Sequence, residues 1–168
     1  MVKVHGVTAM VGAAALMATT AGAGLAEACT RLVYHGAGDT VITARSMDWR
    51  SEITSNLWIF PRGMQRTGET GPNTVRWTSR YGSVVTSGYD VSTTDGVNEA
   101  GLMANMLWLV ESEYPAFDPA RPSLTIAAWA QYALDNFATV AEAVAALERE
   151  SFIIVTDNVP GENRLTTV

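Results

Sequence analysis

Cys29 is the single cysteine of the sequence, and it follows a segment typical of secretory signal peptides. Cleavage after Ala28 would make Cys29 the first residue, with a thiol nucleophile and a free α-amine on one residue. An α-amine titrates at about pH 7.7 to 8.0 in model peptides, so it can act as the general base for the thiol. This arrangement indicates nucleophilic attack on a carbonyl group. The alternative, a small buried apolar residue, is the ordinary role of a lone cysteine.

Residues 1–28 differ from the rest of the chain. Lys3 is followed by an uncharged stretch rich in Ala and Gly, which closes on Ala26-Glu27-Ala28. These features predict a cleaved signal peptide, export to the periplasm or beyond, and no membrane span in the mature protein. A membrane anchor would need a more apolar stretch. A lipoprotein acylated at Cys29 is a second alternative, although Glu27 fits its small-residue box poorly.

The residues after Cys29 predict a β-hairpin. Two runs that favour strands, residues 29–34 and 41–49, flank the turn-like cluster His35-Gly36-Ala37-Gly38-Asp39. We interpret His35 as a solvated turn residue and not as a partner of the thiol. The hairpin would therefore return the chain towards Cys29.

The second strand of this hairpin ends in residues that could assist a terminal cysteine. Arg45 and Met47 share one face of an extended strand, and Ser46 and Asp48 share the other. An Arg can stabilise a thiolate, and an Asp can accept hydrogen bonds from an α-ammonium group and hold it in place. Arg45 and Asp48 are therefore candidate site residues.

The remaining elements predict one α+β unit without internal repeats. We expect strands at residues 57–61, 76–81 and 83–86, loops at 63–73 and 111–122, and helices at 123–134 and 139–149. Thr139 and Glu142 match a helix capping box. The second loop is expected at the rim of the site.

Composition excludes several classes of function. The chain has 168 residues, 48% of them apolar, and a net charge of -6 without a basic run, which argues against a nucleic-acid binder. One cysteine excludes an intramolecular disulfide framework and a multi-cysteine zinc site. The expected partner is a small molecule.

Two sequence blocks together carry a family resemblance. Cys29-Thr30 is followed sixteen residues later by Arg45 and nineteen residues later by Asp48. The second block, Asp95-Gly96-Val97-Asn98-Glu99-Ala100-Gly101-Leu102, resembles the segment "DG-apolar-NE-x-GL". The chain from Cys29 onwards thus resembles the choloylglycine hydrolase family, which contains penicillin V acylases and conjugated bile salt hydrolases.

The resemblance implies an N-terminal nucleophile hydrolase with an αββα sandwich. Cys29 would attack an amide carbonyl to form an acyl-enzyme, Arg45 and Asp48 would support its thiol and amine, and water would release the acid. No metal or organic cofactor is implied, and a homo-oligomer, as in relatives, stays open.

The resemblance also implies that residues 29–168 are the N-terminal part of the catalytic domain, so that the sandwich is incomplete. The family's oxyanion Asn and its later active-site Arg fall in the C-terminal half, and neither Asn158 nor Asn163 is assigned to them. An inactive truncated chain is therefore one hypothesis.

Two tryptophans indicate the substrate. Trp108 stands where bile salt hydrolases have Asn, and Trp49 directly follows Asp48. The pair resembles the Gram-negative branch, whose members cleave penicillin V and long-chain N-acyl homoserine lactones. By the same resemblance, the main-chain N–H of Trp108 would donate to the oxyanion. Bile salt hydrolysis, a non-catalytic exported binding domain, and two tryptophans that are simply core stay as alternatives.

Overall fold

The structure, a computed structural model, describes residues 29–49, 51–109 and 111–156. The expected signal peptide, Asn158 and Asn163 lie outside these residues. The described elements, in chain order, are β1 (Arg31–His35), β2 (Val41–Arg45), β3 (Leu57–Phe60), β4 (Gln65–Thr67), β5 (Arg76–Thr78), β6 (Ser83–Gly88), β7 (Ser92–Asn98), β8 (Met103–Asn105), β9 (Ser123–Thr125), α1 (Ile126–Asn136), α2 (Val140–Leu147) and β10 (Ile153–Val155).

The predicted hairpin is confirmed, because β1 and β2 pair antiparallel with Arg31 opposite Arg45. Gly36 N–H donates to the carbonyl of Thr40 across the turn, at 2.8 Å. The prediction for His35 was wrong in detail. This residue ends β1, where it pairs with Val41, so the turn begins one residue later than expected.

Four antiparallel strands form the main sheet, in the order β3-β6-β7-β8. The predicted strand at residues 57–61 is confirmed as β3. The register of β6 against β7 shifts between Thr86 and Ser87, because Thr86 pairs with Asp95 whereas Ser87 pairs with Thr93. Thr94 is therefore the extra residue of a β-bulge, and it turns Thr93 and Asp95 to opposite faces.

Helix α1 covers one face of this sheet. Its Leu134 is fully buried, and Gln131 accepts a hydrogen bond from Thr93 at 2.9 Å. Gly96 lies beneath the helix, where an added Cβ would come within 2.7 Å of Leu134 Cδ1 and Val85 Cγ1. Such a clash costs about 1–3 kcal/mol, so close packing of helix on sheet requires glycine at this position.

Asn98, in the Asp95–Leu102 motif, forms hydrogen bonds with the end of α1. Its side-chain N–H₂ donates to the carbonyls of Leu134 and Phe137, and its Oδ1 accepts from the N–H groups of Ala100 and Leu102. All four hydrogen-bonding positions of the amide are used, and two of them satisfy carbonyls that a helix end leaves unpaired. This segment of the motif therefore has a structural role.

A buried carboxylate links α1 to β4 and β5. Asp135 is fully buried, and it accepts hydrogen bonds from Trp77 Nε1 at 2.7 Å and from Gln131 Nε2 at 2.8 Å. Arg66 Nε lies 3.0 Å from Asp135 Oδ2 in an ion pair whose N–H is not aligned for a hydrogen bond, and its guanidinium lies over the ring of Phe60. The carboxylate is thus compensated by a cation and two donors.

Several predicted bounds were wrong. The run predicted as a strand at 41–49 ends as β2 at Arg45. The helix predicted at 123–134 begins at Ile126, because residues 123–125 form β9 and pair in parallel with β10. The predicted loop at 63–73 contains β4, and the strand predicted at 76–81 ends at Thr78. These short strands depend on partners distant in the chain.

The predicted capping residues of α2 act as a modified capping box. Thr139 is the N-cap, and its hydroxyl accepts from Glu142 N–H at 3.2 Å. The Glu142 carboxylate accepts from Ala138 N–H, one residue before the N-cap position that a standard box uses.

The face of the main sheet opposite α1 carries exposed apolar side chains. Leu57, Ile59, Val84 and Val97 share this face by strand register, and all four are exposed. Among the described residues, no helix is long and apolar enough to cross a membrane.

Candidate active site

Cys29 is half-buried and lies two residues before the start of β1. Ser46 N–H donates to the carbonyl of Thr30 at 3.0 Å, which continues the hairpin register and places Cys29 opposite Met47. The cysteine Sγ lies 3.9 Å from the main-chain oxygen of Asp48. The hairpin therefore brings the cysteine next to the end of the second run, as the sequence predicts.

The side chain of Asp48 is exposed, and its Oδ2 accepts from the Ser46 hydroxyl at 2.8 Å. This contact fits the prediction that Ser46 and Asp48 share a face. In the chain as written, the nitrogen of Cys29 is bonded to Ala28, so the α-amine that Asp48 would hold forms only on cleavage.

The thiol lines a cavity of about 360 Å³. Trp49 and Trp108 also line it, with ring centroids 5.6 Å apart and planes inclined at 70° in an edge-to-face contact. The other large side chains of the wall are apolar or aromatic, among them Met47, Ile53, Met106, Leu107, Tyr114 and Trp129. Three of the five predicted site residues thus meet at one apolar cavity.

Tyr114 and Trp129 were not predicted as site residues. Tyr114 lies in the loop expected at the rim, and burial raises the pKa of its phenol, so the hydroxyl stays neutral near pH 7. Trp129 lies in the first turn of α1. The sequence does show one aromatic residue in the predicted loop at 111–122 and another in the predicted helix at 123–134. It does not show that these two elements lie next to Cys29, because only the fold brings them there.

Arg45 shares a face of the hairpin with Cys29, and its guanidinium forms an ion pair with Asp95. Nη1 donates to Asp95 Oδ2 at 2.8 Å, and Asn105 Nδ2 donates to the other carboxylate oxygen at 2.8 Å. Asn105 also lines the cavity of Cys29. The sequence carries no local signal for these two residues, because Asp95 is 50 residues from Arg45 and Asn105 is linked to this ion pair through Asp95.

No group of three or more His, Cys, Asp or Glu side chains within residues 29–49, 51–109 and 111–156 could hold a metal ion.

Three comparisons relate the chain to known proteins. A family model described as linear amide C–N hydrolases, choloylglycine hydrolase family, matches residues 29–165. A penicillin V acylase of Pectobacterium atrosepticum is 54% identical over 93% of this chain and 44% of its own length. The chain therefore spans less than half the length of this relative.

Solved structures agree on the fold. A penicillin V acylase from Agrobacterium tumefaciens superposes with a TM-score of 0.73 at 68% identity, over 75% of this chain and 40% of that one. A conjugated bile acid hydrolase variant from Clostridium perfringens superposes with a TM-score of 0.60 at 20% identity, over 83% of this chain and 42% of that one. The predicted α+β class and the N-terminal nucleophile hydrolase fold are confirmed, with the chain spanning only part of it.

Proposed function

Since the chain belongs to the choloylglycine hydrolase family of linear amide C–N hydrolases, we propose that it hydrolyses amides of aryl-substituted or long-chain acids. Penicillin V and N-acyl homoserine lactones are the proposed substrate classes, and Cys29 is the proposed nucleophile. The likeness to two penicillin V acylases supports the first class.

The observation that carries this proposal is the position of the thiol on the wall of an apolar cavity. Cys29 shares this wall with the edge-to-face pair of Trp49 and Trp108. Indole rings offer large apolar surfaces and favour offset or edge contacts with another ring, so they suit a phenoxyacetyl group or an alkyl chain. An acyl group in the cavity would hold its carbonyl carbon beside Sγ.

The proposed reaction has two halves. The Cys29 thiolate attacks the amide carbon, and the amine leaves with a proton as the thioester forms. Water then attacks the thioester and releases the carboxylic acid and the thiol. The α-amine is the general base in both halves, Arg45 supports the thiolate, Asp48 holds the amine, and the main-chain N–H of Trp108 donates to the oxyanion.

This mechanism needs cleavage before Cys29. We propose that residues 1–28 are a signal peptide that directs export, and that its removal frees the α-amine. The uncharged Ala-rich segment and its Ala26-Glu27-Ala28 end support this step.

The substrate class can be tested with a panel of three amides: penicillin V, a long-chain N-acyl homoserine lactone and a glycine-conjugated bile salt. Release of primary amine measures turnover. We expect the first two to be hydrolysed at least about tenfold faster than the third, because the cavity is lined by indoles. The assay uses the full chain and a chimera in which residues 29–156 replace the matching part of the Agrobacterium acylase.

Hydrolysis by either protein supports the proposal. Activity in the chimera alone would mean that the site residues are competent but need the rest of the domain. Preference for the bile salt would contradict the substrate class, and failure of both proteins on every amide would contradict the function.

Trp108→Ala is expected to raise KM for penicillin V about tenfold, or ~1.4 kcal/mol, with kcat changed less than about threefold. The indole contributes apolar contact to the bound acyl group, and this contact is as strong in the ground state as in the transition state. Trp58→Ala is the matched control, because Trp58 is similarly exposed (46% against 43%) and does not line this cavity. Equal KM values for the two variants would exclude Trp108 from substrate binding.

A further inference from the structure

We infer that Asp95 is a positioning residue of the site, whose carboxylate holds the guanidinium of Arg45 on the face of the hairpin that carries Cys29. The inference rests on the proposed function, in which the Cys29 thiolate is the nucleophile. It gives a chemical role to the first residue of the Asp95–Leu102 motif, whose other members pack the helix and the turn.

Both oxygens of Asp95 are used, and each holds a different residue. Oδ2 accepts from Arg45 Nη1 and Oδ1 accepts from Asn105 Nδ2, each at 2.8 Å. Side-chain exposure is 9% for Arg45 and 20% for Asp95, so solvent screens the ion pair only partly. A charge-assisted hydrogen bond in such a place is short and directional, and it fixes the position of the cation.

Strand register explains why Asp95 can reach the hairpin. Asp95 pairs with Thr86 on one side and with Asn105 on the other, so it lies on the central strand of three. The bulge at Thr94 turns Thr93 towards Gln131 of α1 and Asp95 towards the opposite face. In a regular strand without a bulge, residues two apart such as Thr93 and Asp95 would share one face.

The hairpin supplies one hydrogen bond to the Arg45 side chain, from Nε to the main-chain oxygen of Ser46 at 3.2 Å, and a repulsion opposes it. Arg31 lies directly opposite Arg45, and like charges in opposed positions repel. Cys29 and Arg45 are diagonal neighbours on the same face, a separation of roughly 7–8 Å that a long side chain can span. The anion from β7 therefore offsets the repulsion and holds the cation on the face of the hairpin that carries the thiol.

Asp95→Asn preserves the shape of the side chain but removes its negative charge. It also leaves one acceptor oxygen for two donors, Arg45 Nη1 and Asn105 Nδ2. A guanidinium that is nearly buried and uncompensated is costly, so we expect Arg45 to turn towards solvent. The thiolate then loses its nearby cation. The variant should therefore resemble Arg45→Gln, although Asp95 itself is an anion whose simple removal would favour the thiolate.

Alkylation of Cys29 by iodoacetamide tests this inference without requiring turnover, because the chain has no other thiol. Near pH 7 we expect Asp95→Asn and Arg45→Gln in the full chain each to slow alkylation about tenfold. The double variant should be no slower than Arg45→Gln, since Asp95 acts through Arg45. If Asp95 had only a structural role, Asp95→Asn would lower the melting temperature, and its effect on the alkylation rate would not depend on Arg45.

Asp90→Asn is the matched control. Like Asp95, Asp90 accepts a hydrogen bond from the side-chain amide of an Asn, but it lies in the turn between β6 and β7. It should leave the alkylation rate unchanged. Faster alkylation in Asp95→Asn, an unchanged rate, or additive effects in the double variant would overturn the inference.

Turnover gives a second measurement. Where the parent protein hydrolyses penicillin V, Asp95→Asn should lower kcat roughly 10- to 100-fold and leave KM nearly unchanged. Absence of hydrolysis in the parent would contradict the proposed function and leave the alkylation result as the test of this inference.

Discussion

Replacement of Cys29 by serine is expected to lower amide turnover by about 10³-fold or more. A hydroxyl is a far weaker nucleophile than a thiolate at neutral pH, and the described structure places this thiol on the wall of the apolar cavity. The measurement is release of amine from penicillin V by the most active form of the protein, either the full chain or the chimera. Thr40→Ser, in the exposed turn of the same hairpin, is the control and should keep full turnover.

The intact mass of the exported protein separates this effect from a failure of processing. Parent and Cys29→Ser chains should both begin at residue 29, so that the variant loses chemistry but not export. Undiminished turnover in the serine variant would exclude Cys29 as the nucleophile. A diacylglyceryl adduct on the parent would instead favour the lipoprotein alternative, because acylation occupies the thiol.

Asp135→Ala is expected to lower the free energy of unfolding by about 3–5 kcal/mol, which is a large part of the stability of an ordinary domain. The variant leaves the half-buried Arg66 cation without its anion, and it leaves Trp77 Nε1 and Gln131 Nε2 without their acceptor. Urea unfolding followed by circular dichroism measures the loss.

Asp39→Ala makes the same chemical change in an exposed turn and should cost less than about 0.5 kcal/mol. An equal, small loss in the two variants would show that the buried carboxylate contributes little. Such a result would mean that the desolvation of Asp135 cancels its contacts.

Local signals in the sequence predicted the parts of the site that are close in the chain. The hairpin, β3 and the N-cap Thr139 follow from strand propensity, a proline stop and a capping pattern. These features depend on neighbours within a few residues, so one sequence suffices to find them. Trp49 and Trp108 were found by resemblance, and the structure places them in contact.

Contacts set by long-range register were not predictable. β9 directly precedes a helix and was predicted as its first turn, but it is a strand because β10 pairs with it from 30 residues further along. The contact of Arg45 with Asp95 depends on the bulge at Thr94, which no period-two pattern reveals. The sequence therefore singled out Arg45 but not Asp95, the residue with which it forms an ion pair.

The contact between Trp49 and Trp108 also has an optical consequence. Two indoles with centroids 5.6 Å apart and planes at 70° couple their electronic transitions, and this coupling gives a paired positive and negative band in the far-ultraviolet dichroism. A ligand that enters between or beside the rings changes their separation and so the amplitude of the pair. The site therefore contains its own chromophore for ligand occupancy, readable without a label and without any chemical step.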